Sequence, residues 1–166
     1  MILGMSLSTF TLIHVLLSVA GIGAGFIVLF GLLNRKRLDG WTAIFLVTTV
    51  LTSVTGFLFP FEHLLPSHIL GILSLLVLAV AIPARYVFHM AGAWRGVYVI
   101  GASIALYFNV FVAVVQSFLK IPALHALAPA GKEPPFLVAQ VVVLLIFIGL
   151  TIRATKRFHI DQARTA

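Results

Sequence analysis

Apolar residues fill this chain in five long runs, broken by short polar turns, and each run is close to the length that a helix needs to cross a bilayer. The first extends from about Phe10 to Leu33 and the second from Trp41 to near Pro60. The third runs from about Ser67 to Phe88, the fourth from Val97 to Leu119, and the fifth from Phe136 to Ile152. No internal repeat of the kind that marks many transporters is visible. The pattern predicts an all-α integral membrane protein, a single domain over residues 1–166 built as a bundle of five transmembrane helices. Met1 to Thr9 carries no Lys or Arg, so the first run lacks the basic start of a signal peptide and is expected to stay as a helix.

Basic residues orient the bundle. Arg35, Lys36 and Arg37 share one turn, Arg85 and Arg95 flank another, and Arg153, Lys156, Arg157 and Arg164 decorate the tail, whereas only Lys120 and Lys132 fall in the alternate gaps. Nine against two predicts an N-terminus outside and a C-terminus in the cytoplasm, because cytoplasmic loops retain the positive charge. The formal charge of +7 therefore reads as topology, and no nucleic-acid partner follows from it; the expected surroundings are the lipid bilayer.

Composition agrees with this picture. The chain is 61% hydrophobic and 9% charged, against roughly 25% charged in an ordinary soluble domain. There are no cysteines, which removes disulfides, thiolate nucleophiles and iron–sulfur ligation. The four carboxylates Asp39, Glu62, Glu133 and Asp161 all lie in loops or tails. A proton-coupled carrier is disfavoured on that account, since its relay would fall to histidine alone. Hydrolysis and phosphoryl transfer have no visible equipment, and enzyme activity is left open.

Several smaller features concern packing. Gly21 and Gly25 clear one face of the first helix for a close neighbour. Thr49, Ser53 and Gly56 form a small, weakly polar stripe on the second, with Thr48, Thr52 and Thr55 beside it; such hydroxyls bond back to carbonyls one turn earlier. Ser67 reads as an N-cap, and Pro83 as a kink or end of the third helix. Residues 121–135, with four prolines, read as a shaped cap or a rigid connector.

Once oriented, the polar side chains inside the runs acquire a depth. His14, His68, Gln116 and Gln140 lie near the outer end of their helices and Asn109 near mid-membrane, seven residues before Gln116 and so on its face. An amide or imidazole facing lipid is costly, so these five are expected to turn inward and line one outward-facing pocket. The outer loops add Glu62, His63, His125 and Glu133. Four of six histidines thus belong to the outer side; His89 and His159 do not.

Imidazole is the commonest metal ligand, and two ligand readings follow. His14 and His68 can serve as axial ligands to a haem iron, with Gly21 or Gly71 leaving room for the macrocycle and Asn109, Gln116 and Gln140 completing the pocket. Alternatively, Glu62, His63, His68 and His125 can hold a divalent metal such as zinc or copper. Against both stands a purely structural reading, in which His14 donates to Gln140 or Asn109 and the amides join helices. The expectation is a small membrane binding protein, holding haem or a divalent metal as an accessory redox component. The alternative is a non-catalytic structural or assembly partner of another membrane protein, with self-association permitted by the glycines, and a small carrier ranks third.

The stretches WTAIFLVTTVLTSVTGFLFPF (Trp41 to Phe61), PSHILGILSL (Pro66 to Leu75), KIPALHALAP (Lys120 to Pro129) and EPPFLVAQ (Glu133 to Gln140) resemble those of an uncharacterised family of small polytopic bacterial inner-membrane proteins, over most of the chain. The resemblance implies a bacterial inner membrane and carries over no functional residue.

Overall fold

The computed structural model describes residue 2 and residues 4–60 and 66–159. Apart from one bridge between Ile2 and Met5, regular structure among the described residues is entirely helical. The helices are α1 (Leu7–Leu33), α2 (Asp39–Gly56), α3 (Pro66–Tyr86), α4 (Ala93–Lys120), α5 (Pro122–Leu127) and α6 (Pro134–Arg157). Four of them, α1, α3, α4 and α6, are long and apolar enough to cross a membrane, which makes this a multi-pass membrane protein. At 18 residues, α2 is shorter, and Asp39, Ser53 and five threonines dilute its apolar character.

Helix ends follow local chemistry. Ser6 starts α1 three residues before the apolar run, its hydroxyl accepting from Thr9 N at 3.2 Å. In α3 the described helix already includes Pro66, so Ser67 lies within it and is not its N-cap. Pro83 does not end α3, which continues to Tyr86 before the Pro83 carbonyl accepts from Val87 and Phe88. Pro122 likewise opens α5, a single short helix inside the proline-rich connection.

Contacts fix the directions. His14 meets Thr55, while positions Gly21, Gly25 and Gly31 face Thr48, Phe45 and Leu38 in turn, so α1 and α2 run antiparallel along their whole length. Gly101 beside Ala81 sets α3 against α4, and Tyr107 beside Phe147 with Gln140 beside Phe111 sets α6 against α4. α4 is the hub, packing on α1, α3, α5 and α6 and lightly on α2. With successive long helices antiparallel, residues 34–38, residues 87–92 and the end of α6 share one pole. The α2–α3 and α4–α6 connections share the other.

The core sits toward the first of these poles. Ala24, Val28 and Leu32 of α1, Phe45 of α2, Leu78 of α3, Tyr98 and Leu106 of α4 and Phe147 of α6 form one buried cluster, drawn from the halves of each helix nearest the basic turns. His14, His68, Gln116 and Gln140 occupy the opposite half, and Asn109 lies near the middle.

Candidate functional site

At that opposite end His14 leaves α1 on the same stripe as Phe10, Gly21 and Gly25. Its Nδ1 lies 2.8 Å from Thr55 Oγ1, and its ring meets the edge of Phe59 at 5.1 Å. Thr55 Oγ1 also sits 2.7 Å from the Leu51 carbonyl. A hydroxyl has one hydrogen, and the carbonyl can only accept, so Thr55 donates to Leu51 and accepts from His14. The neutral His14 ring therefore carries its proton on Nδ1, and Nε2 keeps its lone pair.

His68 approaches the same end of α2 from α3. It is buried, and its ring stacks on Phe57 at 5.7 Å. His14 and His68 thus both border the last turn of α2, through Thr55 and Phe57 respectively. The room expected for a macrocycle is filled, however. A Cβ at Gly71 would lie 3.1 Å from Phe57 Cζ, and one at Gly21 would lie 3.1 Å from Thr48 Oγ1 and 3.7 Å from Asn109 Nδ2. Both glycines admit neighbouring side chains, as small residues in membrane bundles do.

Asn109 and Gln140 have partners of their own. Asn109 Nδ2 donates to Thr49 Oγ1 at 3.2 Å, at the junction of α1, α2 and α4. Gln140 Nε2 donates to the Phe111 carbonyl at 3.3 Å, while its Oε1 is buried without a hydrogen-bond partner. Gln116, seven residues past Asn109 on α4, is exposed. His14, Asn109 and Gln140 therefore occupy three separate seams.

Of the four residues expected to hold a divalent metal, Glu62 and His63 lie outside the described residues. His68 is buried against Phe57, and His125 is exposed on α5. Among the described residues no three His, Asp or Glu side chains converge.

Glu133 acts structurally. It stands at the N-cap of α6, and its carboxylate accepts from Ala130 N at 3.0 Å and Lys132 N at 2.9 Å. Donation from the Lys132 and Ala130 amides holds its pKa below the usual carboxylate value. The turn is therefore supported fully above the unfolded carboxylate value near 4.3 and loses that support only as pH falls through the lower folded value. An NMR titration should show the Ala130 and Lys132 amide shifts flat from pH 7 to 5 and moving together below pH about 4.3, with the movement absent in Glu133→Gln.

A second polar cluster, not foreseen from residue order alone, lies at the basic pole. Arg85, on the last turn of α3, is 1% exposed. Its Nη2 donates to Asp39 of α2, its Nη1 lies 3.8 Å from Met90 Sδ, and its guanidinium carbon stands 5.0 Å above the Tyr98 ring and 5.6 Å from that of Tyr86. Arg85 Nε and the Tyr98 hydroxyl are buried; the hydroxyl faces Thr42 and Arg85 but closes no hydrogen bond of normal geometry. Met90 reaches the guanidinium through a turn with φ of 48° at His89 and 57° at Met90. The only signals available were a carboxylate next to a basic turn and an arginine still in helical phase two residues after Pro83.

Comparison with protein-family models, with curated proteins and with solved structures finds no match for this chain.

Proposed function

We propose that this chain crosses a bacterial inner membrane five times and serves there as a non-catalytic structural or assembly partner of another membrane protein. The topology is supported by the gathering of Arg35, Lys36, Arg37, Arg85, Arg95, Arg153, Lys156 and Arg157 around one pole, with Lys120 and Lys132 at the other. That pole is then cytoplasmic and the N-terminus outside. The fifth crossing is α2, which returns beside α1 from Leu38 to Thr55; its 18 residues span about 27 Å at 1.5 Å per residue, close to the hydrocarbon thickness.

One observation carries the structural reading: the polar groups of the spans are used to join helices. His14 is bonded to Thr55, Asn109 to Thr49, and Gln140 to the Phe111 carbonyl, each across a different seam. Gln116 stays on the outside of the bundle, an amide that a partner helix can satisfy within the membrane.

A second reading, in which the outer end holds haem or a divalent metal, is favoured by His14 itself. Its Nδ1 proton is tied to a hydroxyl and its Nε2 lone pair is left for a ligand, the orientation that metal-bound histidines take. One preparation separates the two. Protein purified gently from its native membrane should be colourless and free of stoichiometric metal on the structural reading, and His14→Ala should only lower its melting temperature. A Soret band or one bound zinc or copper per chain, lost in His14→Ala and weakened in Thr55→Val, would establish the ligand reading instead.

A further inference from the structure

α3 and α4 touch closely at one point and diverge beside it. A Cβ placed on Gly101 would lie 2.8 Å from Ala81 Cβ, whereas one placed on Gly96, little more than a turn earlier, meets nothing within 4 Å. The divergence opens a groove of about 590 Å³, lined by Leu76, Val80, Ala93, Gly96, Val97 and Ile100 among others, all apolar or glycine. Along α4 it runs from Ala93 to Ile104, eleven steps or about 16 Å at 1.5 Å per residue. That is about half of a 30 Å hydrocarbon core, the depth of one leaflet. It begins at the basic pole, where Trp94 stacks on Phe88 at 4.0 Å, an aromatic pair at the level where a headgroup meets acyl chains.

We propose that this groove seats one acyl chain of an anionic phospholipid, with the phosphate at the basic pole. Length and lining suit a single chain in a single leaflet. Charge decides between a lipid and the other obvious occupant, a helix from a second copy. Two copies inserted in the same direction bring Arg35, Lys36, Arg37, Lys156 and Arg157 of each to one level, where like charges repel. An anionic headgroup is drawn to that level. This inference needs the membrane location but neither functional reading above, so it stands or falls separately from them.

Native mass spectrometry of the protein, extracted from membranes with equal phosphatidylglycerol and phosphatidylcholine, tests it. The wild type should retain one phosphatidylglycerol in preference to phosphatidylcholine. In Gly96→Leu, which puts a side chain into open space in the groove, retention should fall about tenfold, as when a pocket rejects a misfitting group. Gly23→Leu, equally unobstructed but on α1, should retain the lipid. In the Trp41→Phe protein, brominated phosphatidylglycerol should quench Trp94 more strongly than brominated phosphatidylcholine, a readout that leaves the groove unaltered. Equal retention of the two lipids, retention unchanged in Gly96→Leu, or equal quenching would overturn the proposal. So would a wild-type dimer that Gly96→Leu dissociates, which would give the groove to a second copy.

Discussion

Replacing Asp39 by alanine is expected to destabilise the bundle by about 3 kcal/mol, because it leaves the Arg85 guanidinium buried without its counter-charge. Arg85 is 1% exposed and cannot turn to water without dragging the end of α3 from Tyr98 and Met90. Asp39 is itself 64% exposed, so the loss belongs at the lower end of the range for a broken buried pair. Its second contact, to Arg37 Nε at 2.9 Å, is a surface bridge worth about 0–1 kcal/mol, and Arg37→Ala should be nearly silent. Adding Arg85→Met to Asp39→Ala should recover most of the stability, since an unbranched apolar chain occupies the same aromatic slot without a charge to satisfy. Unfolding in detergent measures all four proteins. An Asp39→Ala protein that melts with the wild type would mean that water reaches Arg85, and the buried-pair account would fail.

Much of this fold was legible because lipid leaves the backbone so little choice. Without water to satisfy N–H and C=O groups, a long apolar run must be helical, and α1, α3, α4 and α6 appear where the runs lie. Helix ends were less legible, since they are decided by partners distant in sequence. α6 continues five residues past Ile152 to Arg157, and Arg95 of α4 then donates to the Thr155 and Phe158 carbonyls where it stops. Hydropathy ends where Arg153 begins, but a cation near a helix C-terminus is favourable, and its aliphatic stem can remain in the hydrocarbon. α2 illustrates the converse. Its threonines make it look weakly apolar, yet Thr48 and Thr55 return their hydroxyls to the Ile44 and Leu51 carbonyls one turn back, as such residues do.

The candidate site was legible as a set of depths but not as a set of contacts. Hydropathy and charge assign His14, His68, Gln116 and Gln140 to one end of the helices. They say nothing of which way each residue faces around its own helix, and that angle chooses its partner. Gln140 turns toward α4 and bonds Phe111, and Asn109 turns toward the Gly21 junction. His14, which the structural reading paired with one of those amides, meets Thr55 because α2 lies against its face of α1. The Arg85 cluster was hidden for a different reason. A cation near a helix end reads as topology, and its burial depends on the turn at His89 and Met90, whose positive φ no residue in that stretch requires.

Gly25→Leu is expected to cost about 3 kcal/mol, the upper end for forcing extra methylenes into a packed interior. A Cβ alone at this position would lie 2.5 Å from Leu106 Cδ1 and 2.9 Å from Phe45 Cε2. Both neighbours are 1% exposed, so neither can swing aside without displacing α4 or α2. Gly23, two residues away on the same helix, faces open space and supplies the comparison. Gly→Ala in a helix is worth about 1 kcal/mol from backbone restriction at either site. Gly23→Ala should therefore be neutral or stabilising, while Gly25→Ala gives that gain back to steric strain. The difference between the two alanine variants, taken from melting curves in one detergent, separates packing from helix propensity. If Gly25→Leu melts with Gly23→Leu, α1 is not seated against Phe45 and Leu106, and the register that carries His14 to Thr55 and Gly21 to Asn109 is lost with it.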